Sequence, residues 1–293
     1  MTSESAVTAH APAVARVRVP GGGLRSDLRA IKVVWTRELI RFARDRARIV
    51  TSLVQPVLFL FVLGTGLSRL SSGGTHGVNL RTFVYPGVLA MAVLFTAMFS
   101  AASIVWDREF GFLREMLVAP VSRGAIVFGK CLGGATVAGL QGLIMICIAG
   151  LVGVPYAPLM ILEVLVLQLL LAFSLTAFGV MVAARMTQMQ SFMTLMQLVI
   201  MPLFFISGAL FPVSGLPGWL AVLNRLDPLT YAVDPIRRAV FAHLDVTESA
   251  RQALAPGVTW WGWHLPGLFE AALVALIGLS MLGVAILQFR RTE

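Results

Sequence analysis

Long uncharged stretches alternate with short charged ones along this chain of 293 residues. Neither 82–106 nor 131–162 contains an Asp, Glu, Lys or Arg. Between them lies a 25-residue block, Trp106 to Lys130, reading WDREFGFLREMLVAPVSRGAIVFGK. A helix needs about 20 mostly apolar residues to cross a bilayer core. Five such segments are predicted at about 49–68, 84–105, 130–152, 159–183 and 268–289. The uncharged run 186–224 is too long for one crossing, so a further span is predicted at 191–211, stopping at Phe211-Pro212. Gly153, Pro155 and Pro158 break the chain between the third and fourth spans. The pattern therefore predicts an all-α integral membrane protein with six transmembrane helices.

Two amphipathic elements stand apart from the spans. From Leu28 to Arg48, apolar residues including Leu28, Ile31, Trp35, Leu39 and Phe42 recur mostly every three or four positions. Arg29, Lys32, Arg37, Glu38, Arg41, Arg44, Arg46 and Arg48 fill much of the remainder. That pattern predicts an interfacial helix with cations at the headgroups and Trp35 at the boundary. The region 212–266 holds a second set. Leu216, Trp219, Leu220, Leu223 and Leu226 have helical spacing, Asp227-Pro228 breaks the chain, and Asp234-Pro235 offers an N-cap followed by proline at the first helical position. These are short outer helices, either re-entrant or lying flat as a cap.

The block Trp106–Lys130 must sit at a membrane face. Phe110, Leu113 and Leu117 share one helical face, ringed by Asp107, Arg108, Glu109, Arg114 and Glu115. A helix over 107–118 is expected, presented to a partner or folded against the protein's own inner face.

Composition agrees with a membrane protein: 58% hydrophobic, 13% charged, mean hydropathy +0.85. The net charge of +9 reflects topology and not nucleic-acid binding, because ten of 23 basic residues precede residue 49 and no aromatic-interleaved basic surface follows. With the N-terminus inside, the inner segments carry 17 basic residues and the outer ones six. Both termini are thus expected in the cytoplasm. Residues 1–24 read as a disordered tail, and 25–293 as one transmembrane domain. Cys131 and Cys147 lie about 24 Å apart along one helix, too far to bridge, and are expected to be apolar packing.

Candidate chemistry is sparse. Gly124–Lys130 fits G-x-x-x-x-G-K, but Cys131 stands where a Ser or Thr should coordinate magnesium, and the stretch runs straight into a span. It is a coincidence of spacing. His10, His76, His243 and His264 are scattered, without metal-ligand spacing. Glu163 and Glu270 lie near predicted outer boundaries and are expected to be interfacial carboxylates, so no proton relay is expected within the spans. Pro56 and Pro202 should kink the first and fifth spans. Gly129, Gly133, Gly134, Gly139 and Gly142 give the third span small faces, suited to a dimer interface or to packing within the chain.

Taken in order, these pieces resemble the membrane subunit of type-2 ABC exporters, in the branch of daunorubicin-resistance and nodulation-factor permeases. Trp35-Thr-Arg-Glu38 through Arg44-Asp-Arg46 to Gln55-Pro56 is similar to that family's connecting helix and first span. Asp107–Glu115 followed by Pro120-Val-Ser-Arg123 is similar to its ATPase-contacting loop. Ser207–Pro212, Leu216-Pro-Gly-Trp219 and Asp227-Pro228-Leu-Thr-Tyr231 are similar to its re-entrant region. Pro235 departs from the small or aliphatic residue commoner there.

The resemblance implies a multi-pass permease of a bacterial plasma membrane. It implies two copies of a separate ABC ATPase and a second permease, either identical or a close paralogue. This chain would bind no cofactor, with ATP and Mg used by the ATPase, and would not itself be an enzyme. The passenger would be amphipathic or hydrophobic, a drug or natural product by first choice and a lipid-linked glycan, polysaccharide or glycolipid as the alternative. An ion-coupled secondary transporter is the rival class. Phe59, Met98, Phe99, Met193, Met196, Phe204 and Phe205 are the expected passenger lining, since Met and Phe suit adaptable apolar recognition.

Overall fold

A computed structural model describes residues 23–66, 78–112, 121–213, 216–260 and 262–291. Its architecture is helical, with six helices among the described residues long and apolar enough to cross a membrane. The interfacial helix α1 (Leu24–Arg44) leads to the first span, α2 (Arg46–Gly66). The second span is α3 (Leu80–Ser100), continued after Ala101 by α4 (Ala102–Glu109). Next come α5 (Arg123–Cys147), α6 (Pro158–Ala183) and α7 (Met189–Ile206). Then follow α8 (Gly218–Leu226), α9 (Thr230–Ala242), α10 (Glu248–Leu254), a two-residue hairpin β1 (Thr259–Trp260) with β2 (Trp263–His264), and the last span α11 (Gly267–Arg291).

Local sequence explains the starts and stops. Asp45 is the single non-helical residue between α1 and α2, and its Oδ1 accepts from the Arg48 amide at 3.0 Å, capping α2. Asn79 and Ser122 do the same for α3 and α5. A 3-10 turn, Ala149–Val152, and Gly153 at φ +80 end the third span before Pro158 opens the fourth. Pro56 lies inside α2, and a π-helical turn follows at Phe59–Leu63.

The second span is the hub: 78% of its most apolar stretch is buried within the chain, against 17% for the first span and 22% for the fifth. It packs on α5 and α6, and α6 carries α11 on its other side. In lipid the driving force is close packing, not exclusion of water. The glycines of α5 serve this within the chain. Gly129 and Gly133 admit α1, Gly134 faces Ser100 and Thr176, and Gly139 and Gly142 face Leu169 and Gln168 of α6.

Several sequence expectations change. The fifth span ends at Ile206, not Phe211, and the third begins at Arg123, placing Lys130 in its second turn. Asp234-Pro235 does not open a helix: α9 begins four residues earlier at Thr230 and carries Pro235 inside it. The outer helices bury their polar groups against the bundle, where tertiary partners outweigh local capping preference. Arg237, 2% exposed, donates to the carbonyls of Gly208 (2.7 Å) and Ala209 (3.0 Å), and its guanidinium lies 4.8 Å from the Phe83 ring centre. Glu270, in the first turn of the last span, is fully buried by the chain's own helices, 2.6 Å from Arg238, which also meets Asp234 at 2.8 Å.

A Cβ on Gly87 would collide with the backbone of Ala209, whereas one on Gly283 meets open space. Gly87→Ala should destabilise the detergent-solubilised protein by about 1–3 kcal/mol, since backbone cannot yield as a side chain does. Gly283→Ala should be neutral or stabilising. Thermal unfolding of the two variants checks this.

Candidate functional site

The second span ends in three consecutive charges, and each finds a partner inside the chain. Asp107, 3% exposed, accepts from Lys130 Nζ at 2.5 Å and from Arg37 Nη2 at 2.6 Å. Lys130 Nζ also lies 2.9 Å from Glu38 Oε1 and 3.1 Å from Ser103 Oγ. Two carboxylates and two cations from α1, α4 and α5 thus form a balanced cluster. A lone ammonium at this depth would cost several kcal/mol, so Lys130 needs both carboxylates. Next, Arg108 donates to the carbonyls of Ala183 (3.1 Å) and Met186 (2.6 Å), just past the C-terminus of α6. Glu109 accepts from the Met189 amide at 3.0 Å, at the N-terminus of α7. Both charges have the sign the helix ends favour.

This corrects the expected charged rim. Asp107 and Arg108 face the protein's own helices, Glu109 stays exposed while bonding the Met189 amide, and the helix expected over 107–118 is interrupted. It stops at Glu109, and Gly111 takes φ +83. Leu113, Arg114, Glu115 and Leu117 lie outside the described residues. Phe110 and Phe112 are exposed and Trp106 is partly so, its ring 4.7 Å from that of Phe110. The apolar knob of the block is therefore presented outward while its first charges anchor it.

Interfacial helix α1 lies against α5 as well as presenting Leu28, Val33 and Ile40 outward. Trp35, expected at the headgroup boundary, donates its indole N–H to Thr136 Oγ1 at 3.1 Å. Arg41, Arg44 and Arg46 are exposed. Gly124 to Lys130 is helical throughout, so its amides belong to α5 and form no open loop.

Beside the cluster a groove of about 680 Å³ opens between α1, α2, the end of α3, α4 and α7. Glu38, Arg41, Asp45 and Arg48 line its charged end. Thr51, Ser52 and Gln55 face Thr96 and Ser100 along a polar strip. Phe95, Phe99, Met189 and Met193 supply an apolar wall. Thr96 Oγ1 is buried without a hydrogen-bond partner there. Of the residues expected to line a passenger path, Phe99 and Met193 line this groove. Met98 and Met196 are wholly buried and Phe204 nearly so; Met98 lies in the enclosed second span, and Met196 and Phe204 lie on the inward face of α7. Phe59 is half-buried with its ring 6.1 Å from Phe204, and Phe205 is exposed away from the groove.

At the opposite end of the bundle, Trp219 is exposed and Pro228 partly buried. Tyr231 is buried, its hydroxyl donating to the Arg225 carbonyl at 2.5 Å and accepting from Trp260 at 3.0 Å. Asp227 Oδ1 accepts from the Leu229 amide at 2.9 Å, while Oδ2 is buried without a partner. Burial pushes its carboxyl up to about 7, opposed only by that amide bond.

A family model described as ABC-2 type transporter matches residues 29–241. The chain belongs to the ABC-2 type transporter family. Among similar proteins, the transport permease ycf38 of Cyanophora paradoxa is 29% identical over 214 residues, covering 70% of this chain and 72% of that one. Nodulation protein J of Rhizobium leguminosarum bv. viciae is 30% identical over 222 residues, covering 75% and 83%. Nodulation protein J of Rhizobium meliloti is 30% identical over 208 residues, covering 70% and 78%.

Membership in the ABC-2 family implies an ABC ATPase as partner. Sequence reasoning missed Lys130, Ser103 and Gln55 as site residues, and Asp234, Arg237 and Arg238 as a buried network. The available signal was Lys130 itself, the one charge between Gly124 and Leu162, which demands acidic partners.

Because Asp227 titrates higher in the fold than its ordinary value near 3.9, the fold holds its proton when the unfolded chain has lost it. Its stabilising contribution is complete below about 4 and falls as pH rises toward 7, by at most ~1.4 kcal/mol per unit. Asp227→Asn, which keeps an acceptor for Leu229, should flatten the fall in melting temperature between pH 5 and pH 8, as a pH series of thermal unfolding would read.

Proposed function

We propose that this ABC-2 permease is the membrane-spanning part of an ATP-driven exporter. It works as a pair of permeases with two ATPase subunits and moves an amphipathic or hydrophobic passenger outward across a bacterial plasma membrane. The observation that carries this reading is the groove of about 680 Å³, a volume suited to a drug-sized molecule, between the two spans least buried within the chain. Spans that leave most of their surface uncovered suit a second permease copy and a passenger path between copies. With the Lys130 end in the cytoplasm, as the basic-residue count implies, the groove receives its passenger from the inner leaflet. The apolar wall accepts a drug or natural product by its rings and chains.

The polar strip from Thr51 to Gln55, facing Thr96 and Ser100, favours a second reading. Hydroxyls and amides there suit the polar head of a glycolipid or lipid-linked glycan. ATP and magnesium belong to the ATPase partner, which meets the permease at Phe110 and Phe112 and the segment after them.

Replacing both exposed rings (Phe110→Asp with Phe112→Asp) should cut co-purification of the ATPase by about tenfold or more, as loss of paired apolar anchors does at interfaces. Membrane insertion should be unchanged. Unaltered pull-down together with unaltered ATP-dependent transport in proteoliposomes would sink the docking assignment. Gln55→Leu, on the groove wall, should change transport rates between a sugar-bearing and a plain amphiphile while leaving ATPase association intact. Equal effects on the two passengers would remove the sugar-head reading, and no effect on either would remove the groove from the path.

A further inference from the structure

At the Lys130 end of the groove, some charges are answered within the chain and others are not. Asp107 meets Lys130 and Arg37, and Glu38 meets Lys130 at 2.9 Å. Arg41 and Arg48 line the same end, and neither guanidinium has a hydrogen bond or an ion pair among the described residues. Arg41 lies over the Trp106 ring, 5.9 Å from its centre, and stands near enough to Arg48 for the two charges to repel. Asp45 accepts from the Arg48 amide at 3.0 Å as the cap of α2. Arg44 joins Arg41 and Asp45 around an adjoining, shallower depression. With Glu38 matched by Lys130, three guanidiniums here face the one carboxylate of Asp45. The groove then changes character along its length. Past Arg48, Thr51 and Ser52 return their hydroxyls to carbonyls of their own helix. That leaves the Gln55 amide and the unpartnered Thr96 hydroxyl to address a ligand, beside the wall of Phe95, Phe99, Met189 and Met193. Cation, then amide and hydroxyl, then ring and thioether is the order that complements an anionic head, a polar neck and an apolar chain.

We propose that Arg41 and Arg48 form a receiving site for a phosphate-type oxyanion, and that the passenger is an anionic amphiphile whose chain lies along Phe95, Phe99 and Met193. This deepens the exporter reading above, on which the role of passenger rests. Guanidinium suits the task because its planar fork holds two oxygens of one oxyanion and is more weakly hydrated than an ammonium. The ring of Trp106 beneath Arg41 steadies that fork. A neutral head of the same size gains neither charged contact, and a cationic head meets the excess of guanidiniums. Free phosphate gains the head contacts without the apolar wall. A phospholipid of the inner leaflet and an exported natural product both present such a head, and ATP-driven movement separates the two.

Fluorescent probes that share one acyl chain and differ in the head test this: lysophosphatidic acid, lysophosphatidylcholine and neutral monoacylglycerol. The solubilised permease should bind lysophosphatidic acid about tenfold or more tighter than monoacylglycerol, as charge-assisted bonds imply. Added salt should shrink the difference. Arg41→Gln with Arg48→Gln should bring the three probes within about twofold of one another. Removing equal charge elsewhere on α1, by Arg29→Gln with Lys32→Gln, should leave the preference intact, which an effect of overall charge would not. Excess inorganic phosphate should not displace the anionic probe; displacement would mark a site for free phosphate and overturn the proposal. In proteoliposomes with the ATPase subunit, ATP should carry lysophosphatidic acid to the outer leaflet faster than monoacylglycerol.

Melting temperature and ATPase co-purification should be unchanged in the Arg41 and Arg48 double variant, since neither guanidinium bonds to the rest of the chain. Loss of co-purification would make the pair a protein contact and overturn the proposal. Should the double variant fail to fold, Arg48→Gln alone should lower the preference about threefold or more. An undiminished preference in whichever variant folds overturns the site. Export of monoacylglycerol without export of the anionic probe overturns the passenger assignment and leaves a seat for resident lipid. If ATP moves no probe at all, the exporter reading fails instead.

Discussion

A single buried ammonium sets much of the arrangement at one end of this permease. Lys130 sits in a helix otherwise free of charge from Arg123 onward, so its position must be neutralised by groups that come to it. Glu38 and Asp107 do so from two other helices, and their arrival decides where α1 lies and how the second span ends. Because breaking a buried pair leaves an uncompensated charge, the cluster constrains geometry more than it adds net stability. The glycines at 129 and 133 make the approach of α1 possible by leaving room for Val34 and Glu38.

The far end repeats the principle with different residues. Arg237 satisfies the carbonyls freed where α7 stops, and Arg238 gathers Asp234, Glu270 and the Leu265 carbonyl. Short helices and a hairpin are held against the spans by these polar contacts together with apolar residues, among them Ile236, Val240, Phe241 and Leu254, that join the main core. Backbone groups of irregular segments near a membrane need such partners, because little water is available to them. Between the two ends the bundle is held by close contact of small residues with α3 and α6, leaving α2 and α7 outermost beside the groove.

Much of the fold was legible along the chain. Uncharged runs longer than a bilayer is thick announced six spans, Gly153 and Pro158 announced the break between two of them, and the arginine-rich apolar pattern announced α1. The site was legible only in part. Phe110 is exposed, and Phe99 and Met193 line the groove. Met98, Met196 and Phe204 do not, since an apolar side chain in a span suits core, lipid and passenger equally. Asp107, Arg108 and Glu109 look like a solvated rim in one dimension, because their partners lie 23 to about 80 positions away.

Hydrophobic pattern and length by themselves determined the class of this protein and its number of candidate crossings, because crossing a bilayer imposes a requirement that each segment must meet alone. Which charge faces inward, where a helix stops beyond its cap, and which walls enclose the groove were decided by tertiary structure. Those depend on the meeting of residues far apart in the chain, as when Lys130 draws Glu38 and Asp107 together and the 107–118 helix breaks at Gly111. The charged block between two spans could announce a surface to be touched. Only the fold shows that its first charges hold the protein to itself.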